Sequence, residues 1–160
     1  MTIKESGLTM IELMVTLAVL SLLAIIEISA YSRVHGNVQK SLHVLNSKAI
    51  VVGVAMGFEK GLLERPTTEN PVVITVDILQ KKLNLFYWDP SSETKSPYHE
   101  DSTVQVVKVD NNYQYYIQLK AAKTGFSYLD QLYLDDPINA VMISELSDDQ
   151  VDLEHHKNNE

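Results

Sequence analysis

The side chain whose chemistry is hardest to place is Glu12. It interrupts the run Met10 to Ile26, MIELMVTLAVLSLLAII, in which the other polar residues are the small Thr16 and Ser21. A carboxylate in a membrane helix costs about 2.5–3.5 kcal/mol on lenient insertion scales, and such groups usually have a partner. The bland alternative is a carboxylate near the headgroups that snorkels to water. The sharper one supplies a cation. A cut between Gly7 and Leu8 would create an α-amino group on Leu8, four residues before Glu12. On a helix that is about 6 Å along the axis and on the same face. Within one chain the two would interact weakly. Between staggered helices, the amine of one chain could meet the carboxylate of another. Burying both charges is tolerable as a pair, so Glu12 would set register as well as neutralise charge.

No other constellation promises catalysis. Of the five histidines, His155 and His156 lie in the C-terminal tail, and His99 lies in a polar stretch. His35 and His43 are eight apart on a predicted helix, about 12 Å from each other, too far to share a metal. All are expected to face solvent. Asp135-Asp136 and Asp148-Asp149 lack the spaced Asp/Asn/Gly pattern of a calcium loop and read as solvated acids. A phosphate-cradling glycine loop and a nucleophile motif are both missing, so no enzyme, cofactor or metal site is expected. With no cysteine, disulfides and thiolate chemistry are excluded. The net charge of −8, with no basic patch among 13 Lys and Arg, disfavours nucleic acid as a partner.

Glu12 needs a helix to position it. Leu8 to Ala30 supplies the roughly 20 apolar residues that span a hydrocarbon core of about 30 Å. A secretory signal would start with net positive charge, but MTIKESG carries one Lys and one Glu. The small-x-small candidate Ile28-Ser29-Ala30 also puts Ile where a small residue belongs. A plain anchor leaves Glu12 unexplained. Past Ala30, Val34, Val38, Leu42, Leu45, Ala49, Val52 and Met56 recur at steps of 4, 4, 3, 4, 3 and 4. That spacing predicts one buried stripe on a helix running from about Leu8 to about Lys60, with Gly61 as C-cap. Gly53, Gly57 and Gly61 would clear one face for close packing on a sheet, and Gly36 is a candidate for local melting.

The remainder reads as a head. Leu62–Asn70 is a connector, and Thr75–Leu83 is a short helix capped by Thr75. Leu85-Phe86-Tyr87-Trp88 reads as a hydrophobic plug under the connector, and Asp89–Asp101 as a loop. Thr103–Val109 and Tyr113–Lys120 alternate around Asp110-Asn111-Asn112, the signature of an antiparallel hairpin. Further strands are expected near Leu132–Leu134 and Ala140–Ile143. The fold class is therefore α+β, a long N-terminal helix on an antiparallel sheet. The expected organisation is a leader at 1–7, a membrane helix at 8–30, its amphipathic continuation at 31–60, a head at 61–146 and an acidic tail at 147–160. From Asp135 onward eight acidic residues face one Lys, and the tail is expected to be loose.

The segment Gly7-Leu8-Thr9-Met10-Ile11-Glu12-Leu13, continuing to Leu20, resembles the processing and methylation segment of type IV pilins and type II secretion pseudopilins. The resemblance implies that a prepilin peptidase removes the leader after Gly7 on the cytoplasmic side. It further implies methylation of the new N-terminus at Leu8, with Glu12 as the fifth mature residue. It implies a single-pass protein of the bacterial inner membrane that later enters a periplasmic or extracellular filament. Its implied partners are other pilin or pseudopilin subunits, the peptidase and an inner-membrane assembly platform. Leu8 stands where Phe or Met is commoner, Ser29 where many major pilins have Pro, and Glu27 is an unexpected charge. With the missing disulfide, these departures point to a minor pilin or pseudopilin. The competing expectation is a membrane-tethered periplasmic binding module that keeps Met1 and is indifferent to Glu12.

Overall fold

The unbroken helical pattern ahead of Pro66 folds as a single element, α1, Met10–Glu59, and Gly36 does not interrupt it. In this computed structural model the described residues are 9–68, 70–92, 94–124, 126–132, 135 and 140–153. The helix ends at Gly61, whose φ of 68° suits a residue without Cβ. Gly61 N–H donates to Phe58 O at 3.2 Å and Leu62 N–H to Gly57 O at 3.0 Å. This bond pair closes helices around a left-handed glycine, so the expected C-cap is present.

The chain divides into two compact units, Met1–Gly36 and Asn37–Glu160. In the first, every described residue up to His35 is exposed, Leu13, Leu17, Leu20 and Ile25 among them.

In the second unit, four strands form one antiparallel sheet in the order β1-β2-β3-β4: Val72–Thr75, Thr103–Val109, Asn112–Lys120 and Ser127–Gln131. The β2–β3 hairpin stands where expected. Val109 pairs with Asn112 across a two-residue turn in which Asp110 has a φ of 54°. Helix α2, Val76–Leu83, is capped as expected, with Thr75 Oγ1 accepting from Ile78 N–H at 3.3 Å. Strand β1 was hidden in the sequence because its four residues run straight into that cap. The strand expected near Leu132–Leu134 lies earlier, at β4; Leu132 is outside it, and Tyr133 and Leu134 are outside the described residues. Nor is Ala140–Ile143 a strand: among its described residues, Ile143 N–H reaches Tyr115 O at 3.0 Å without forming a ladder.

Two corrections concern α1. The stripe expected to be buried is exposed: Val34 and Leu45 are 61% accessible and Val52 is 57%. The buried face carries His43, Val44, Ser47, Ile50, Gly53, Val54, Gly57 and Phe58 instead. At 100° per residue the two faces lie roughly opposite each other. The buried one is the less apolar because close packing there uses small residues and a histidine. Gly53 and Gly57 do clear a face, but for different neighbours. A Cβ on Gly53 would meet Tyr87 and Leu85, and one on Gly57 would meet Leu63 and Leu83. Ile50 and Val54 join Val76, Leu79, Val104, Val106, Ile117 and Leu119 in one buried core, and Phe58 lies 6.1 Å from the Tyr113 ring.

The tail is also anchored further than expected. Beyond Ser147, Asp148–Gln150 forms a 3-10 turn and Val151 is buried. Ser41 Oγ donates to Asp148 Oδ2 at 2.6 Å, and Asp152 N–H to Tyr128 O at 3.0 Å. Residues 154–160 lie outside the described residues.

Candidate functional site

Glu12 lies in the first turn of α1 and is held there by Thr9. Thr9 N–H and Thr9 Oγ1 both donate to Glu12 Oε2 at 2.8 Å, while Glu12 N–H donates back to Thr9 Oγ1 at 3.3 Å. Leu13 N–H reaches Thr9 O at 3.1 Å, which makes Thr9 the cap of the helix. This reciprocal arrangement is a capping box, and it satisfies donors that the first helical turn leaves unpaired. Its signal is Thr9-x-x-Glu12 ahead of an apolar run, which the carboxylate's charge overshadows in the sequence. Among the described residues, no Lys, Arg or His forms an ion pair with Glu12. Gly7 and Leu8, the expected processing residues, lie outside the described residues.

Along the same helix the hydroxyls turn back on their own backbone. Thr16 Oγ1 donates to Leu13 O at 2.8 Å, Ser21 Oγ to Leu17 O at 2.8 Å and Ser29 Oγ to Ile25 O at 2.9 Å. By length and composition α1 can cross a membrane.

A second polar centre lies within the head, and sequence reasoning missed it. His43, expected in solvent, is 0% exposed. Its Nδ1 is 2.8 Å from Tyr98 Oη, and its Nε2 is 2.9 Å from Ser91 Oγ and 4.0 Å from Asp89 Oδ1. Asn46 Nδ2 donates to Tyr98 Oη at 3.2 Å. Asp89, also buried, accepts from Ser91 N–H at 2.9 Å, Tyr128 Oη at 3.1 Å and Ala122 N–H at 3.3 Å. Burial, reinforced by the Asp89 charge, pushes the Tyr98 and Tyr128 phenols above the ordinary tyrosine value, and the bond from Asn46 partly offsets this at Tyr98. Ser91, His43 and Asp89 have the residue types of a hydrolase triad but not its geometry. Carboxylate and hydroxyl approach the same imidazole nitrogen, and a phenol holds the other. The cluster ties α1 to the 89–98 loop and β4.

The other candidates stay apart. His35 is exposed and stacks on Tyr31 with ring centroids 5.7 Å apart. His99 lies 3.6 Å from Asp101, and His155 and His156 are outside the described residues. Asp135 is exposed, and Asp136 lies outside the described residues. Among the described residues no group of three or more His, Asp or Glu side chains could hold a metal.

The prokaryotic N-terminal methylation motif matches residues 3–26, a stretch that contains Gly7, Leu8, Thr9 and Glu12. The chain fits a type IV pilin-like protein. The motif supports prepilin-type processing and suits inner-membrane anchoring and assembly with other pilin subunits. The long helix followed by a four-stranded antiparallel sheet is the α+β, pilin-like architecture. No curated protein and no solved structure matches the chain.

Proposed function

We propose that this pilin-like chain is a minor pilin or a type II secretion pseudopilin. A prepilin peptidase cuts it after Gly7, the amine of Leu8 is methylated, and the subunit waits in the inner membrane with its N-terminus cytoplasmic. An assembly platform then moves it into a filament whose core is a bundle of such helices. The observation that carries this proposal is the methylation motif at 3–26 on an exposed apolar helix whose carboxylate has no cation of its own among the described residues. In the bundle, Glu12 receives the ammonium of a neighbour's Leu8, and burial of the two charges is offset by their pairing. The exposed stripe Val38, Leu42, Leu45, Ala49, Val52 and Met56 supports assembly as well, since the head leaves that face of α1 free for other helices.

Two measurements test this. The mass of the membrane-extracted protein should lack Met1 to Gly7, with or without a methyl group. Full-length chain recovered from cells that contain the peptidase would favour the tethered binding module. Glu12→Ala should be cleaved normally and enter filaments poorly, and normal incorporation would remove the role given to Glu12.

A further inference from the structure

The head carries a second exposed apolar feature beside α1. After α2, the chain passes along the helix in the opposite direction. Leu85 and Tyr87 lie over Gly53, Tyr87 Oη donates to Ala49 O at 3.2 Å, and Asn46 Nδ2 donates to Trp88 O at 2.9 Å. Phe86 and Trp88, in between, project outward. They are 56% and 54% exposed, and their rings stack with centroids 6.5 Å apart and 20° between planes. The plug expected from sequence is therefore half a plug: alternate residues cover the helix and the other two face water. An aromatic side chain can bury about 150–250 Å², so roughly 200 Å² of the pair remains available.

This pair is continuous with the exposed stripe. At 100° per residue, Leu42, Ala49 and Met56 come next around α1 from the line through Asn46 and Gly53. Helix stripe and aromatic pair together offer on the order of 500 Å² of apolar surface, more than half of what one side of a stable interface contributes. It extends over about four helical turns, so the occupant is apolar and elongated.

We infer that Phe86 and Trp88 form a ledge that receives the apolar N-terminal helix of a second pilin-type subunit. Met10 to Ala30 of this chain displays that chemistry, a helix with apolar residues exposed on all sides. A net charge of −8 opposes docking between two copies of the acidic head, whereas the apolar helix carries little charge. The inference rests on the assembly proposed above, because it is in a filament that such a helix leaves lipid.

The test uses the full chain in the cells that produce it, with a benzophenone amino acid in place of Trp88. Irradiation should join it to a peptide from the N-terminal apolar helix of a pilin-type subunit, identified by mass spectrometry. Adducts confined to lipid, glycan or another protein's globular surface, or no adduct, would overturn the ledge. Separately, Phe86→Ser with Trp88→Ser should leave processing and protease resistance of the membrane-extracted chain unchanged, yet lower filament incorporation at least about tenfold. Normal incorporation of that double variant beside defective Glu12→Ala removes the ledge and leaves the assembly proposal standing. Normal incorporation of both variants removes both.

Discussion

Two acidic residues carry opposite duties. Glu12 sits on an exposed helix and has Thr9 as its partner, whereas Asp89 is buried and accepts hydrogen bonds from three donors. Asp89→Ala leaves Tyr128 Oη and the N–H groups of Ser91 and Ala122 without their acceptor. It should destabilise the head by about 3 kcal/mol or more, read from urea unfolding of the detergent-solubilised chain. The phenols give a pH dependence. Tyr98 and Tyr128 are held above the ordinary tyrosine value, mainly by burial. Above about pH 10 the unfolded chain releases phenolic protons that the folded head retains. Stability from these groups is therefore complete below about pH 10 and is lost as pH climbs beyond it. Tyrosinate absorbance at 295 nm should show Tyr98 and Tyr128 ionising only as the head unfolds. None of this cluster was legible in the sequence. His43, Asp89 and Tyr98 are 46 and 9 residues apart, and nothing local marks a histidine as buried.

At the scale of elements, the two faces of α1 explain what could and could not be read. The helix, its glycine cap, the α2 cap and the β2–β3 hairpin follow from local rules, capping chemistry and period-two alternation, and all are present. The buried face of α1 did not follow, because apolar spacing favoured Val38, Leu45 and Val52. The head instead uses a face with Gly53, Gly57, Ser47 and His43, where backbone approach matters more than greasiness. Gly57→Ala tests this directly. The added methyl forces buried Leu63 to shift, a cost of about 1–3 kcal/mol that exceeds the helix-propensity gain of about 1 kcal/mol. Gly36→Ala, with nothing within 4 Å of its Cβ, should show no such loss. The urea midpoints of the two variants should therefore move differently, with Gly57→Ala the lower.

At the scale of the whole molecule, the methylation motif at 3–26, the membrane-length helix and the α+β class were legible because each shows in local sequence pattern. Strand β4 and the anchored segment to Leu153 were not, since each depends on partners far away in sequence, such as Tyr128 for Asp152 and Ser41 for Asp148. One feature of α1 has a bearing on how such a subunit changes surroundings. Because Thr16, Ser21 and Ser29 satisfy their hydroxyls on the helix's own carbonyls, none of the three has to find a new donor or acceptor when hydrocarbon chains are exchanged for neighbouring side chains. In the assembly proposed above, leaving lipid therefore costs little for those hydroxyls and the aliphatic side chains around them. In the assembly proposed above, Glu12 is then the group whose surroundings change most between lipid and bundle.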